Sequence, residues 1–240
     1  MNINISSKSR SKGALIAFEG ISGAGKSHVI CEVYNFYRNR NQKAAIVEWN
    51  SNSLIRKIMK LFNKANILTK EVYSFLQWIS FVIDYFTVIL PLLRKDYYVI
   101  ADRYIYTGLT RDVVNGAKFR LGQLISLFVR QPDYIYFIDT PPDVCLERIE
   151  KRGKPLFHTN KRILRSKLLQ NRTLYYLKKL RREYIKLFKD LKEKANIKII
   201  FMDNSSVLVE SNIDEVKVNK PFFMKGGNMY GEDFIFKAKV

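Results

Sequence analysis

The sequence predicts an α/β protein, in which helices cover both faces of a five-stranded parallel sheet. Three observations favour this class. Five short apolar runs have the length of buried strands, helical patterns separate these runs, and a glycine-rich turn joins the first strand to the first helix. The chain has 240 residues, of which 47% are hydrophobic, so it can bury a core and is not disordered throughout.

The five predicted strands are short, apolar and bounded by turn residues. The first is apolar throughout, and the fourth is entered through Pro132 and left through Pro141 and Pro142. Predicted strands occupy 14–18, 44–47, 98–101, 134–138 and 197–202. A fully apolar strand is typical of a sheet that is covered on both faces, which indicates parallel pairing.

Helical spacing of apolar residues fills the intervals between the strands. Predicted helices occupy 26–40, 54–62, 72–93, 121–129, 144–151 and 165–194. The helix at 72–93 is long enough to cross a membrane, but Gln77 and Asp84 interrupt it. We therefore expect a helix that is buried against the sheet or at a subunit interface, and no membrane span.

The predicted domain covers 13–216, between a flexible basic arm at 1–12 and a C-terminal extension at 217–240. The arm has no apolar segment of the kind found in signal peptides. The two cysteines, Cys31 and Cys145, do not make a disulfide framework. Both observations favour a cytoplasmic protein.

The charge is unusually positive, with 42 Lys and Arg against 22 Asp and Glu, a net charge of +20. The segment 148–198 holds 18 of the basic and 4 of the acidic residues. This excess favours an anionic partner, which could be nucleic acid, an anionic membrane or a phosphorylated small molecule. Nucleic acid is not the favoured partner, because the basic residues are spread around a helix without a recognised nucleic-acid-binding motif.

A phosphate-binding loop follows the first strand, because residues 20–27 fit the pattern G-x-x-x-x-G-K-[ST]. Its glycines let backbone N–H groups surround phosphate oxygens, while Lys26 can reach the outer phosphates and the Ser27 hydroxyl can ligate Mg²⁺. The sequence therefore predicts a nucleoside triphosphate bound with Mg²⁺. The predicted binding residues are Gly20, Ser22, Gly23, Ala24, Gly25, Lys26, Ser27 and His28.

An acid and an arginine follow the third strand, where Asp102, Arg103 and Tyr104 come in sequence. The carboxyl ends of parallel strands meet at one edge of the sheet, which is where ligands bind in this class of fold. We expect Asp102 to hold Mg²⁺ or its water, and Arg103 to clamp the acceptor or the transferred phosphoryl group.

With these pieces in place, the sequence resembles the thymidylate kinase family of nucleoside monophosphate kinases, over 14 to about 210. The matching segments are Phe18-Glu19-Gly20, Asp102-Arg103-Tyr104, Pro132-Asp133-Tyr134, Phe137-Ile138-Asp139-Thr140-Pro141-Pro142, Leu146-Glu147-Arg148-Ile149 and Lys151-Arg152-Gly153. The resemblance implies a three-layer α/β/α P-loop kinase fold, ATP as donor, Mg²⁺, dTMP as the default acceptor and a homodimer. It also implies a helical lid at about 148–170, in which Arg148 and Arg152 act on the transferred group and Arg162 and Arg165 are further candidates.

Three departures from the family concern the acceptor. Ser22 stands where family members carry an acid, and the stretch 78–84 lacks the arginine that holds the acceptor phosphate. The segment 48–53 also differs from the family's Arg-Glu-Pro-Gly-Gly-Thr. The predicted acceptor-binding residues are Trp49, Gln77, Trp78, Phe81, Asp84 and Tyr104.

These departures leave alternatives open. A hydroxyl acceptor, which could be a nucleoside, another small molecule or a peptide, needs a general base, and Glu48 at the end of the second strand is the candidate for that role. A second alternative is a nucleic-acid-binding protein or a non-catalytic nucleotide-binding P-loop protein.

Overall fold

The computed structural model describes residues 13–118, 121–153, 156, 163, 170–194 and 198–203. The strands in this part of the chain are β1 (Leu15–Glu19), β2 (Ala44–Glu48), β3 (Tyr98–Asp102), β4 (Tyr134–Asp139) and β5 (Lys198–Asp203). They form one sheet in the order β2-β3-β1-β4-β5, and every pair is parallel. The predicted fold class is confirmed.

The described helices lie between these strands. They are α1 (Lys26–Arg38), α2 (Ser53–Lys64), α3 (Lys70–Asp84), α4 (Leu90–Arg94), α5 (Ile105–Asn115), α6 (Leu121–Ser126), α7 (Pro142–Lys151) and α8 (Arg172–Lys194). The sequence did not indicate α5, and α6 ends three residues before the predicted 129. The arm at 1–12, the extension at 217–240 and most of the predicted lid lie outside the described residues.

The predicted helix at 72–93 is continuous in the structure, but it contains an irregular turn. A π-helical turn, Tyr85–Ile89, connects α3 to α4, and the N–H of Leu90 donates to the carbonyl of Tyr85. The turn lies directly before Pro91, which has no N–H and whose ring would clash with the carbonyl four residues earlier. Widening the helix removes this conflict without ending the helix.

The segment Lys70–Arg94 is also long and apolar enough to cross a membrane by length and composition. However, 56% of its most apolar window is buried inside the protein, and core helices of soluble proteins have the same property. Trp78 and Phe81 of this segment belong to the main hydrophobic core. The composition is therefore weak evidence for a membrane span.

The sheet places the acidic residues Glu48 and Asp102 next to each other at the carboxyl ends of their strands. Asp102, the last residue of β3, pairs in register with Phe18 of β1 and with Glu48 of β2. On β4, Tyr136 stacks on Phe18. Phe137 points to the opposite face, where it contacts aromatic residues of α8. The carboxyl ends of β1, β2, β3 and β4 thus lie side by side, next to the turn that enters α1.

Candidate active site

The phosphate-binding loop adopts a conformation that requires its glycines. Gly23 and Gly25 have φ of 88° and 93°, a region that other residues rarely adopt. A Cβ on Gly23 would lie 2.5 Å from the carbonyl oxygen of Cys145, so the loop packs closely against α7. Gly25 caps the N-terminus of α1 in the left-handed conformation. This N-terminus is a site that favours phosphate.

A cleft of about 1010 Å³ lies over this loop. It brings together the predicted residues Ser22, Gly23, Gly25, Lys26, Ser27, His28, Asp102, Arg103, Arg148 and Arg152, together with Tyr73, Arg111, Ile149, Lys151 and Leu156. Gly20 and Ala24 do not line the cleft, but their carbonyls accept hydrogen bonds that hold the loop. The carbonyl of Ala24 accepts a hydrogen bond from the Thr140 hydroxyl.

Lys26 is folded back onto its own loop. Its Nζ donates to the carbonyl oxygens of Gly20 at 3.1 Å and Ile21 at 3.0 Å, and the side chain is buried. Burial, with the nearby Arg103 charge as the second cause, lowers the pKa of Lys26 to about 7. A triphosphate would supply the negative charge that favours the protonated amine.

We therefore expect binding of Mg·ATP to take up a proton above neutral pH. Above pH 7 the free protein carries mostly neutral Lys26, and the triphosphate raises the pKa, so uptake approaches about one proton per site at pH 8 and falls towards pH 6. Titration calorimetry in buffers of different ionisation enthalpy measures this number. Lys26→Met should abolish the uptake, whereas the exposed Lys189→Met should retain it. Equal uptake in both variants would assign the proton to another group.

Arg103 lies in a strained turn that directs its side chain over the loop. Its φ is 76°, a left-handed conformation that costs about 1–3 kcal/mol in a non-glycine residue. The guanidinium donates to the carbonyl of Gly20 at 2.8 Å and to the Ser22 hydroxyl at 3.4 Å. Ser22 therefore contacts the predicted clamp.

Glu19 is a buried carboxylate that supports this turn, although the sequence analysis did not predict a role for it. It accepts hydrogen bonds from the backbone N–H of Tyr104 at 2.8 Å, the Thr107 hydroxyl at 2.6 Å and the Tyr184 hydroxyl at 3.0 Å. Burial raises the pKa of Glu19. The contacts link β1, α5 and α8 directly below Arg103.

Asp102 and Ser27 are the residues that would hold Mg²⁺. Oδ1 of Asp102 is buried and has no hydrogen-bond partner in the described part of the chain. A buried carboxylate oxygen without a partner is free to bind a cation or a water molecule on that cation. The described residues contain no cluster of three or more His, Cys, Asp or Glu placed to hold a metal. Magnesium often uses few protein ligands together with phosphate oxygens, so this donor set fits it.

The two predicted lid arginines lie at the end of α7. Arg148 donates to the carbonyl of Gly23 at 3.2 Å, and Nε of the exposed Arg152 donates to the carbonyl of Arg148. Both line the cleft. Arg162 and Arg165 lie outside the described residues.

The structure does not bring the predicted acceptor-binding residues to the cleft. Four form a buried aromatic cluster, in which Phe81 lies between Trp49, Trp78 and Tyr104 with ring centroids 5.0–5.9 Å away. The Tyr104 hydroxyl donates to the carbonyl of Arg130, away from the loop. Their acceptor-binding role stays a prediction.

The polar members of that set have partners inside the protein. Gln77 is buried and donates to Asp112 at 2.7 Å, and Asp84 accepts from both the backbone N–H and the hydroxyl of Ser51. Burial raises the pKa of Asp84. Glu48, the candidate general base, forms an ion pair with Arg56 at 3.3 Å and does not line the cleft.

Tyr73 and Arg111 line the cleft instead, and the sequence singled out neither of them. Tyr73 comes from α3 and Arg111 from α5, 38 residues later, and a guanidinium N–H donates to the Tyr73 hydroxyl at 3.3 Å. If α5 had been predicted from the sequence, Arg111 would have been placed one turn beyond Thr107 on the same helix face. No sequence pattern, however, indicates that Arg111 contacts Tyr73.

A phosphate-binding loop, an acid and an arginine at the end of the neighbouring strand, and arginines across the cleft define a P-loop kinase. Comparison with known proteins narrows this class. The family model described as "Thymidylate kinase" matches residues 18–213. The chain therefore belongs to the thymidylate kinase family, and it is an ATP-dependent kinase.

Individual relatives agree with this assignment. A probable thymidylate kinase 2 of Saccharolobus solfataricus is 36% identical over 145 residues, which are 60% of this chain and 68% of the relative. A probable thymidylate kinase of Archaeoglobus fulgidus is 27% identical over 87% of this chain and 95% of its own length. The crystal structure of thymidylate kinase from Ehrlichia chaffeensis has a TM-score of 0.56 at 17% identity, covering 80% of this chain and 90% of that one. This last match supports the fold.

Proposed function

We propose that this protein transfers the γ-phosphoryl group of ATP to a nucleoside monophosphate, with dTMP as the acceptor. The observation that carries the proposal is the convergence of Lys26, Asp102, Arg103 and Arg148 on one cleft, in a chain of the thymidylate kinase family. The curated relatives described above bear the name thymidylate kinase, which supports dTMP as the acceptor.

Positioning and electrostatics supply most of the catalysis in this proposal. The loop N–H groups and Lys26 hold the outer phosphates of ATP, while Arg103 and Arg148 neutralise charge on the transferred group. Bound Mg²⁺, held by Ser27 and Asp102, would neutralise phosphate charge. The acceptor phosphate is already a nucleophile, so the reaction needs no general base in this chain.

The alternative of a hydroxyl acceptor receives less support. It requires a general base, and the ion pair between Glu48 and Arg56 directs the Glu48 carboxylate elsewhere. In the basic segment, Arg181 forms a two-point ion pair with Asp139, at 2.6 and 2.7 Å, and so is not available to a nucleic acid.

The homodimer and the cytoplasmic location are further proposals, which the family resemblance supports. Phe75 and Phe86, both on the helical segment Lys70–Arg94, are more than half exposed, and a second copy could cover them. Sedimentation velocity of the purified protein tests the dimer, and a monomer at micromolar concentration would contradict it.

A phosphoryl-transfer screen with labelled ATP tests the function. The acceptor panel contains nucleoside monophosphates, nucleosides and unrelated alcohols, and Lys26→Ala is the inactive control. We expect dTMP to be converted to dTDP by the wild type, with at least about 100-fold loss in Lys26→Ala. Phosphorylation of hydroxyl acceptors alone would reject the monophosphate, and no ATP-dependent product with any acceptor would reject the enzymatic function.

A further inference from the structure

The cleft holds a cation, Arg111, that the transfer chemistry above does not use. Arg111 lines the cleft from α5, and among the described residues no carboxylate lies within 4 Å of its guanidinium. Its partner is the Tyr73 hydroxyl, and its other close ionisable neighbours are Tyr176 and Tyr184. A half-buried cation among neutral hydroxyls is costly unless an anion joins it.

We propose that Arg111, oriented by Tyr73, binds the phosphate of the acceptor. This inference rests on the proposed function, and it specifies how the chain selects a monophosphate over a nucleoside. A guanidinium binds a phosphate through two parallel hydrogen bonds, which gives both affinity and orientation.

The position of Arg111 along α5 suits this role. Thr107 and Arg111 are four residues apart and share one helix face, and Thr107 faces Glu19 and Arg103. Arg111 therefore lies about 6 Å beyond Thr107, farther from the phosphate-binding loop than Arg103. An acceptor phosphate in this cleft could contact Arg111 while Arg103 faces the transferred group.

The contact between α3 and α5 fixes Arg111 in place. The neighbouring Asp112 accepts hydrogen bonds from the Gln77 amide at 2.7 Å and the Trp78 indole at 2.6 Å. A Cβ on Gly108 would lie 2.6 Å from the Trp78 ring, so the two helices approach closely. The backbone of α5 at Arg111 is thus held rigidly against the helix that carries Tyr73.

The same packing keeps cationic side chains out of the contact between Trp78, Phe81 and α5. Trp78 and Phe81 are at most 2% exposed and fill the interior between α3 and α5 with aromatic rings. An arginine here would bury a cation in an apolar cluster. Arg111, on the facing helix, instead lines the cleft beside Tyr73 and supplies a cation there.

Arg111→Met tests the proposal, with Arg111→Lys as the charge-retaining variant and the exposed Arg182→Met as the matched control. We expect Arg111→Met to raise the KM for dTMP about 10- to 100-fold while the KM for ATP changes less than about twofold. Arg111→Lys should recover part of the loss, and Arg182→Met should behave as wild type. An unchanged KM for dTMP in a folded Arg111→Met protein would overturn the proposal while dTMP turnover by the wild type stands.

Binding measurements separate this proposal from the proposed function. Calorimetry measures the Kd values of dTMP and thymidine. We expect the wild type to bind dTMP more tightly, and we expect Arg111→Met to reduce the ratio of the two Kd values at least about tenfold. A purely structural role would weaken both ligands equally, and this result would overturn the proposal. If the wild type binds dTMP through Arg111 but does not phosphorylate it, the proposed function fails and the binding site stands.

Discussion

Asp102→Asn is expected to lower kcat about 10²- to 10³-fold and to raise the Mg²⁺ concentration needed for half-maximal rate. The substitution keeps the shape of the side chain but removes its charge, at a position where Oδ1 is buried and has no hydrogen-bond partner among the described residues. It also removes a carboxylate that raises the pKa of Lys26. Magnesium binding should therefore weaken, and a smaller fraction of Lys26 should be protonated.

Initial rates against Mg²⁺ concentration, at saturating ATP and dTMP, measure this effect. Asp190→Asn is the matched control, because Asp190 is an exposed acid on α8 and its loss changes the net charge equally. The control should retain the wild-type rate and magnesium dependence. A rate for Asp102→Asn within about threefold of the wild type would reject the role of Asp102 in the active site.

The predicted site residues that line the cleft share a local sequence pattern. Gly20, Lys26 and Ser27 belong to one contiguous motif between a strand and a helix, and Arg103 directly follows a short, mostly apolar strand. Parallel strands end at one edge, so the meeting of these two segments follows from chain direction alone. The structure places both in one cleft.

The acceptor side could not be located this way, because it depends on the rotation of helices. Gln77 and Asp84 are polar residues in a mostly apolar helix, a pattern that suggests ligand binding. In the structure, however, the Gln77 side chain hydrogen-bonds to Asp112 and the Asp84 side chain to Ser51, both in the interior. A single sequence does not reveal these partners, since they lie 33 to 35 residues away. The same holds for the pairing of Tyr73 with Arg111.

The helix α5 escaped prediction for a related reason. Thr107, Gly108 and Thr110 lower its intrinsic helix propensity. In the structure Gly108 allows the close contact with Trp78, and Thr107 donates to Glu19. Tertiary contacts therefore stabilise a helix that its own sequence disfavours, and these contacts also position the active-site turn.

Glu19→Ala is expected to reduce the free energy of unfolding by at least about 3 kcal/mol, because three buried donors lose their acceptor at once. The donors are the Tyr104 N–H and the hydroxyls of Thr107 and Tyr184. Two of them can compensate partly, since the hydroxyls of Thr107 and Tyr184 lie 2.7 Å apart. The Tyr104 N–H has no such alternative, so the turn that contains Arg103 should loosen and kcat should fall with stability.

Urea unfolding and steady-state kinetics on Glu19→Ala, Glu19→Gln and Tyr184→Phe distinguish the contributions. Glu19→Gln keeps an acceptor for Tyr104 and should lose less stability than Glu19→Ala. Because burial raises the pKa of Glu19 above its value in the unfolded chain, its contribution to stability weakens as pH rises through the folded pKa. Glu19→Gln should lack this pH dependence. A Glu19→Ala protein as stable as the wild type, with full kcat, would mean that the strained turn at Arg103 is held by other contacts.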